Sequence, residues 1–255
     1  MESSDRGLVS AFGSSRSRLI ALTTLIAAIG FTPWAWGTGV PWAQFVFRTL
    51  GLTALLVISL RQSNREFTRT DRQIRVTRSM VLFVLVSAAS AAFSIHRGKS
   101  LEAMLNLLAI TGLFLTAAML VRGSRLLRGF ALVEVLAALP VAAYGILQHF
   151  RPELLPAANS YPGRALGPFG QPNRLGGYVA AALPVALALS FAIHDRALKG
   201  ALLVAVFGLM FCLVATYSRG AWVGLAAGLL VLGAMLLRWP ELQPRPLMLE
   251  IHRSW

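Results

Sequence analysis

Three arginines in glycine-containing stretches are the residues of this 255-residue sequence that most clearly indicate a chemical role. Arg164 and Arg174 lie in GRALGPFGQPNRLGGYV, residues 163–179, and Arg219 lies in TYSRGAW, residues 216–222. A guanidinium group is planar, stays charged, and can pair with two phosphate oxygens at once. These residues therefore indicate a site for a phosphate-bearing anion. The alternatives are that Arg164 and Arg174 are solvated loop charges and that Arg219 snorkels while bonding the carbonyls that close the preceding helix.

The segment that contains Arg164 is rich in residues that interrupt helices. Residues 150–173 hold five of the twelve prolines of the chain, together with three glycines. This composition predicts a compact, turn-rich loop. We expect the next helix to begin near Asn173, which is a good N-cap residue preceded by Pro172. Because the free N–H groups at a helix N-terminus attract anions, Asn173 joins the predicted anion site.

The rest of the sequence must position these residues in a membrane. Hydrophobic residues make up 56% of the chain and charged residues 13%, and the apolar residues form blocks of roughly 17 to 22, long enough to cross a bilayer as helices. We predict an all-α, polytopic membrane bundle of eight helices, at about residues 19–38, 42–60, 79–95, 101–121, 129–149, 174–193, 200–216 and 220–237. The expected organisation is a cytoplasmic N-terminal segment, one transmembrane domain and a cytoplasmic tail, at residues 1–18, 19–237 and 238–255.

The positive charges of the chain indicate its orientation. With the N-terminus in the cytoplasm, 17 of the 24 Lys and Arg residues fall on the cytoplasmic side, six fall outside, and Arg48 lies within the second span. This division follows the positive-inside rule. The net charge of +14 is therefore explained without a nucleic-acid partner. It also places Arg164, Arg174 and Arg219 on the outer face.

Three further features lie within the predicted spans. Gly220, Gly224 and Gly228 recur every fourth residue, a spacing that predicts a small-residue face against which another helix packs closely. Arg48 either snorkels to the outer headgroups or adds to the ligand site. Glu134 is the one acid well inside a predicted span, and we expect it to be hydrogen-bonded or neutral.

The sequence offers no metal-ligand cluster. Its four histidines are scattered and divided between the two faces, and Cys212 lies inside a span, where packing is its expected role. We therefore expect no metal and no cofactor. His149 and Glu153 lie at the predicted loop, and they are the residues there considered as a catalytic base.

The two arginine-containing stretches, in this order and topology, resemble the O-antigen ligase and O-antigen polymerase superfamily of membrane glycosyltransferases. The resemblance extends in looser form from about residue 80 to 237. It implies a bacterial inner-membrane protein that moves a glycan from undecaprenyl diphosphate, on the periplasmic side, to an acceptor such as a growing glycan or a lipid A core sugar. It also implies that Arg164 and Arg219 hold the diphosphate of the carrier without a metal or a nucleotide.

The sequence departs from that family after residue 237. Family members continue through a large periplasmic loop with a functional histidine and several more helices, whereas this chain ends at Trp255. We expect a truncated or degenerate ligase or polymerase whose catalytic base is not identified. The alternative is a membrane scaffold or accessory subunit that binds the lipid-linked glycan without chemistry. A solute transporter has less support because no two symmetric halves are visible. Ligase, polymerase and protein glycosylation stay open.

Overall fold

Long apolar helices make up the architecture of the chain in a computed structural model, which describes residues 2–35, 40–63, 71–121, 124–154 and 161–238. In chain order the helices are α1 (Glu2–Trp34), α2 (Pro41–Ser63), α3 (Asp71–Ala92), α4 (Arg97–Leu120), α5 (Ser124–Phe150), α6 (Pro172–Ala192), α7 (Arg196–Ala215) and α8 (Arg219–Arg238). Single 3₁₀ turns lie at Pro152–Leu154 and Gly167–Phe169. These described residues include no β-strand, so the predicted all-α class is confirmed.

In the described part of the chain, six helical segments are long and apolar enough to cross a membrane: Ser17–Trp34, Ile74–Ala92, Arg97–Leu120, Arg125–Phe150, Pro172–Ala192 and Arg196–Ala215. The remaining two helices contain shorter apolar stretches, Pro41–Val57 and Arg219–Val231. Each predicted span overlaps one helix, but α1 and α3 begin well before their predicted spans, at Glu2 and Asp71. α1 begins at Glu2, so the segment predicted as cytoplasmic is helical from that residue on. The predicted tail after Arg238 lies outside the described residues.

The chain divides into two compact units, residues 1–133 and 134–255, with the boundary inside α5. In the first unit α2 packs against α4, with α1 and α3 beside this pair. The buried face of α4 consists mainly of small and aliphatic residues, including Ala109, Gly112 and Leu115. Small side chains allow the backbones of α2 and α4 to approach closely. The core of the first unit therefore lies along the α2–α4 contact.

In the second unit α6 packs against both α7 and α8. Leu175, Val179 and Ala186 on α6 and Leu209 on α7 are completely buried. Pro184 lies inside α6, a position that neighbouring helices make tolerable in a membrane protein.

The N-termini of α6 and α7 are capped differently. At the start of α7 the Asp195 carboxylate accepts a hydrogen bond from Leu198 N at 2.7 Å. The start of α6 has no such side-chain cap.

Candidate anion-binding site

The N-terminal ends of α6 and α8 meet at Gly176. A Cβ atom on Gly176 would lie 2.9 Å from the Cβ atoms of Ser218 and Ala221, so the absence of a side chain lets α6 approach the beginning of α8. Arg174 precedes this contact by two residues, and Arg219 follows Ser218 directly. The crossing therefore holds two exposed arginines at the starts of two adjacent helices.

The N-cap of α6 lies two positions before the predicted one. The helix begins at Pro172, so Gln171 is the N-cap residue and its side chain makes no capping hydrogen bond. Asn173 is an exposed residue of the first turn, and the prediction that it caps the helix is wrong. Pro172 favoured the earlier start because its ring presets a helical φ and it has no N–H to satisfy. The N–H groups of the first turn are thus left without a capping side chain.

Arg164 fastens the 161–171 segment to the end of α7. Its Nε donates to Thr216 O at 2.8 Å and its Nη2 to Tyr217 O at 3.1 Å. Beside it, Ala165 N donates to Ala215 O at 2.9 Å. The hydrogen bonds to helix-closing carbonyls that we considered for Arg219 are made by Arg164 instead. Its Nη1 has no partner among the residues that the structure describes.

Arg219 is the first residue of α8 and is exposed. Across the described ranges it forms no hydrogen bond and no ion pair, and the same holds for Arg174. The α7–α8 connection that presents Arg219 consists of residues 216–218, as short as predicted. The backbone of Arg219 is therefore held at the start of α8, and its side-chain donors have no acceptor among the described residues.

The turn before Arg219 is locked by hydrogen bonds at both ends. Ser218 N donates to Thr216 Oγ1 at 3.2 Å, and Trp222 Nε1 donates to Leu213 O at 3.2 Å. Tyr217 has a φ of 50°, a left-handed conformation that is strained for a bulky residue and that surrounding contacts must hold in place. This strain was not visible in the sequence. The surrounding contacts therefore constrain the backbone of this turn and the position of the residue that follows it, Arg219.

Gln148, on the last turns of α5, also supports the site and was missed by the sequence interpretation. Its Oε1 accepts hydrogen bonds from Leu166 N at 3.2 Å and Gly167 N at 2.7 Å, and the residue is 1% exposed. Buried backbone N–H groups need acceptors, and Gly167, with a φ of 57°, makes a turn that a side chain would strain. An amide inside an apolar helix was the available signal in the sequence.

The two possible bases near the loop have different surroundings. His149 Nδ1 lies 2.8 Å from Gly163 O, and its ring centroid lies 6.3 Å from that of Tyr217. Glu153 instead forms an ion pair with Arg151 at 3.3 Å, and both side chains are more than half exposed. Of the two, His149 is the residue in contact with the segment that carries Arg164.

Arg48 lies in the first unit and has acceptors on α2 and α4. Its Nε donates to Asn106 Oδ1 at 2.8 Å, and its Nη2 lies 2.9 Å from Gln44 Oε1 and 3.3 Å from Glu102 Oε1. The side chain is 19% exposed. These contacts favour a role in joining α2 to α4 over the snorkelling and ligand-binding roles considered from sequence.

The predicted packing role of the glycines on α8 is not what the structure shows. A Cβ atom on Gly220, Gly224 or Gly228 would meet no atom within 4 Å among the described residues. The close helix contacts in the described part of the chain are made by other glycines, such as Gly112 and Gly176. A four-residue spacing identifies a small-residue face but not whether a neighbouring helix covers it.

No family model, curated protein or solved structure matches this chain.

Proposed function

We propose that the chain is a membrane glycosyltransferase of the O-antigen ligase and polymerase type, which moves a glycan from undecaprenyl diphosphate on the periplasmic face of the bacterial inner membrane. The observation that carries this proposal is the pair of exposed arginines, Arg174 and Arg219, at two helix starts that meet at Gly176. Both belong to the stretches on which the family resemblance rests.

The division of charge between loops supports the orientation. With eight crossings and a cytoplasmic N-terminus, the starts of α6 and α8 lie on the periplasmic side, where undecaprenyl-linked glycans are used. The positive-inside rule disfavours arginine on the periplasmic side. Arginines that are found there are therefore expected to have a function. The hydrophobic carrier would then reach the site from the bilayer, with its diphosphate at the level of the two helix starts.

The contacts suggest different roles for the arginines. Arg219 and Arg174 have free donors and would bind diphosphate oxygens together with the open N–H groups near Asn173. Arg164 would hold the 161–171 segment against α7 and offer its Nη1 to the same anion. Arg48 is left out of the site because it lies on α2, outside the two stretches on which the family resemblance rests, and its Nε and Nη2 have acceptors on α2 and α4.

Fixed guanidinium groups suit the chemistry of glycan transfer. As an acceptor hydroxyl attacks the anomeric carbon, negative charge builds up on the departing diphosphate. Positive groups that are already in place stabilise that charge without reorganisation, so they are worth more in the transition state than mobile charges. Arginine also cannot lose its proton under these conditions. Two or three such groups would serve in place of a divalent cation.

The proposal is tested by the binding of undecaprenyl diphosphate to the full chain in nanodiscs, with undecaprenyl monophosphate and undecaprenol as comparison ligands. We expect affinity to fall in that order and to survive addition of a chelator. Arg219→Ala should weaken diphosphate binding about ten- to a hundredfold, since a charge-assisted hydrogen bond contributes roughly 1.5 to 3 kcal/mol. Arg219→Lys should weaken it less than Arg219→Ala because it keeps the positive charge, but should still weaken it because an ammonium group makes no two-pronged contact.

The matched control is Arg196→Ala. Arg196 is also an exposed first residue of a helix, at the start of α7, but it lies on the face expected to be cytoplasmic. Its replacement should leave diphosphate affinity unchanged. Equal affinity for diphosphate and undecaprenol, or equal losses from Arg196→Ala and Arg219→Ala, would contradict the proposal.

A further inference from the structure

The orientation of His149 leaves one ring nitrogen available beside the arginine segment. Its Nδ1 is 2.8 Å from Gly163 O, and a carbonyl oxygen can only accept, so Nδ1 carries the hydrogen. In the neutral imidazole the lone pair is then on Nε2. Gly163 has a φ of 73°, a conformation that glycine adopts without strain. The backbone at Gly163 therefore both presents the acceptor and fixes the tautomer.

The same contacts link the imidazole to the proposed diphosphate site. Gly163 directly precedes Arg164, and Arg164 Nη2 donates to Tyr217 O at 3.1 Å. The Tyr217 ring lies beside the imidazole, with 6.3 Å between centroids, and Tyr217 is two residues before Arg219. His149 is partly exposed, so its free nitrogen is not sealed within the protein.

We propose that His149 is the catalytic base of this chain, an inference that rests on the proposed function. A base oriented by a hydrogen bond from its second nitrogen is the arrangement that activates hydroxyl nucleophiles in other enzymes. Glu153, the other base considered from sequence, forms an ion pair with Arg151 just after the end of α5, and both side chains are more than half exposed. The carboxylate thus has a cation partner, whereas His149 Nε2 has none among the residues described.

In the proposed step the oxygen of the acceptor hydroxyl forms a bond to the anomeric carbon of the lipid-linked glycan. The bond between that carbon and the diphosphate oxygen breaks, and its electron pair leaves with undecaprenyl diphosphate, which the arginines stabilise. The hydroxyl proton passes to His149 Nε2, giving an imidazolium that later releases the proton to water. The co-reactants are the lipid-linked glycan and an acceptor that bears a hydroxyl.

The test separates binding from transfer in the full chain. The probes are undecaprenyl diphosphate for affinity, and lipid-linked glycan extracted from the cells that make the protein, with their membrane fraction as acceptor, for transfer. His149→Gln keeps an N–H for Gly163 O but has no basic nitrogen. We expect it to bind undecaprenyl diphosphate within about twofold of the native affinity and to transfer glycan about a hundredfold more slowly or worse, the usual contribution of a general base.

A second variant distinguishes a chemical role from a structural one. His149→Ala should be equally slow and should regain transfer when free imidazole is added, whereas a variant that only disturbs the loop would not respond. His96→Gln, at another exposed histidine, should transfer at the native rate. Transfer by His149→Gln at the native rate would overturn the inference while leaving the proposed diphosphate site intact. A native chain that binds the carrier but transfers nothing would also overturn it, and would favour the scaffold; a native chain that binds no carrier would remove the proposed function itself.

Discussion

Each compact unit contains a helix pair that crosses at glycine with an arginine nearby, but the two arginines have different partners. At the α2–α4 crossing, Arg48 is bonded to Asn106 and Gln44 and paired with Glu102. At the α6–α8 crossing, Arg219 has no acceptor among the described residues. Arginine within or at the start of an apolar helix is thus not itself a functional signal. The acceptors on the neighbouring helix decide whether the charge serves the fold or is free for a ligand.

The glycines at the two crossings also differ in how closely the backbones approach. A Cβ on Gly112 would collide with the backbone oxygen of Gly51, and one on Gly51 would collide with the backbone of Ala109. At the other crossing Gly176 faces the side chains of Ser218 and Ala221. A side-chain contact can adjust more easily than a backbone contact. We therefore expect the α2–α4 crossing to be the less tolerant of the two.

The largest expected effect is that of Gly112→Leu. The new side chain would force α2 and α4 apart, and overpacking of this kind costs about 3 kcal/mol or more when backbone must move. Thermal unfolding in detergent should show a markedly lower Tm, and Gly224→Leu, the same change at a helical glycine with open space, should leave Tm nearly unchanged. The reverse order of the two variants would restore the α8 glycines as the tight packing face.

A smaller effect is expected at the second crossing. Gly176→Leu should lower stability by about 1 to 3 kcal/mol and should also weaken undecaprenyl diphosphate binding, because it separates the helix starts that carry Arg174 and Arg219. The adjacent Gly177 offers a matched control, since a Cβ there would meet no described atom within 4 Å. If Gly176→Leu lost stability but bound the carrier as tightly as Gly177→Leu, the two helix starts would not act as one site.

Most of the helices could be predicted from sequence, whereas the contacts between them could not. Apolar blocks of membrane-spanning length mark helices locally. In the same way the Pro- and Gly-rich composition of residues 150–173 indicated a turn-rich loop, of which residues 161–171 are described. Which helix covers which face depends on residues distant in the chain. For that reason the α8 glycines were assigned a neighbour that no described residue provides, and the partners of Arg48 on α4 were not foreseen.

The candidate site shows the same limit at the level of single residues. The three arginines were identified by type and position, but sequence did not distinguish Arg164, which bonds to the end of α7, from Arg219, which does not. Asn173 was taken as the cap because its residue type is favoured there, although the helix begins at Pro172 and its N-cap is Gln171, two positions earlier. Gln148 was overlooked because its acceptor role depends on a loop 18 and 19 residues away.

The comparison of Arg48 with Arg219 provides the most direct test of the account. Arg48→Ala and Arg219→Ala remove the same side chain, and both variants can be measured for Tm and for undecaprenyl diphosphate affinity in one nanodisc preparation. Arg48→Ala should lower stability by about 1 to 3 kcal/mol, because the acceptors on α2 and α4 lose their donor, and should leave affinity unchanged. Arg219→Ala should leave Tm unchanged and lower affinity about ten- to a hundredfold. Loss of stability without loss of affinity in Arg219→Ala would contradict the central claim that this arginine is held free for the diphosphate.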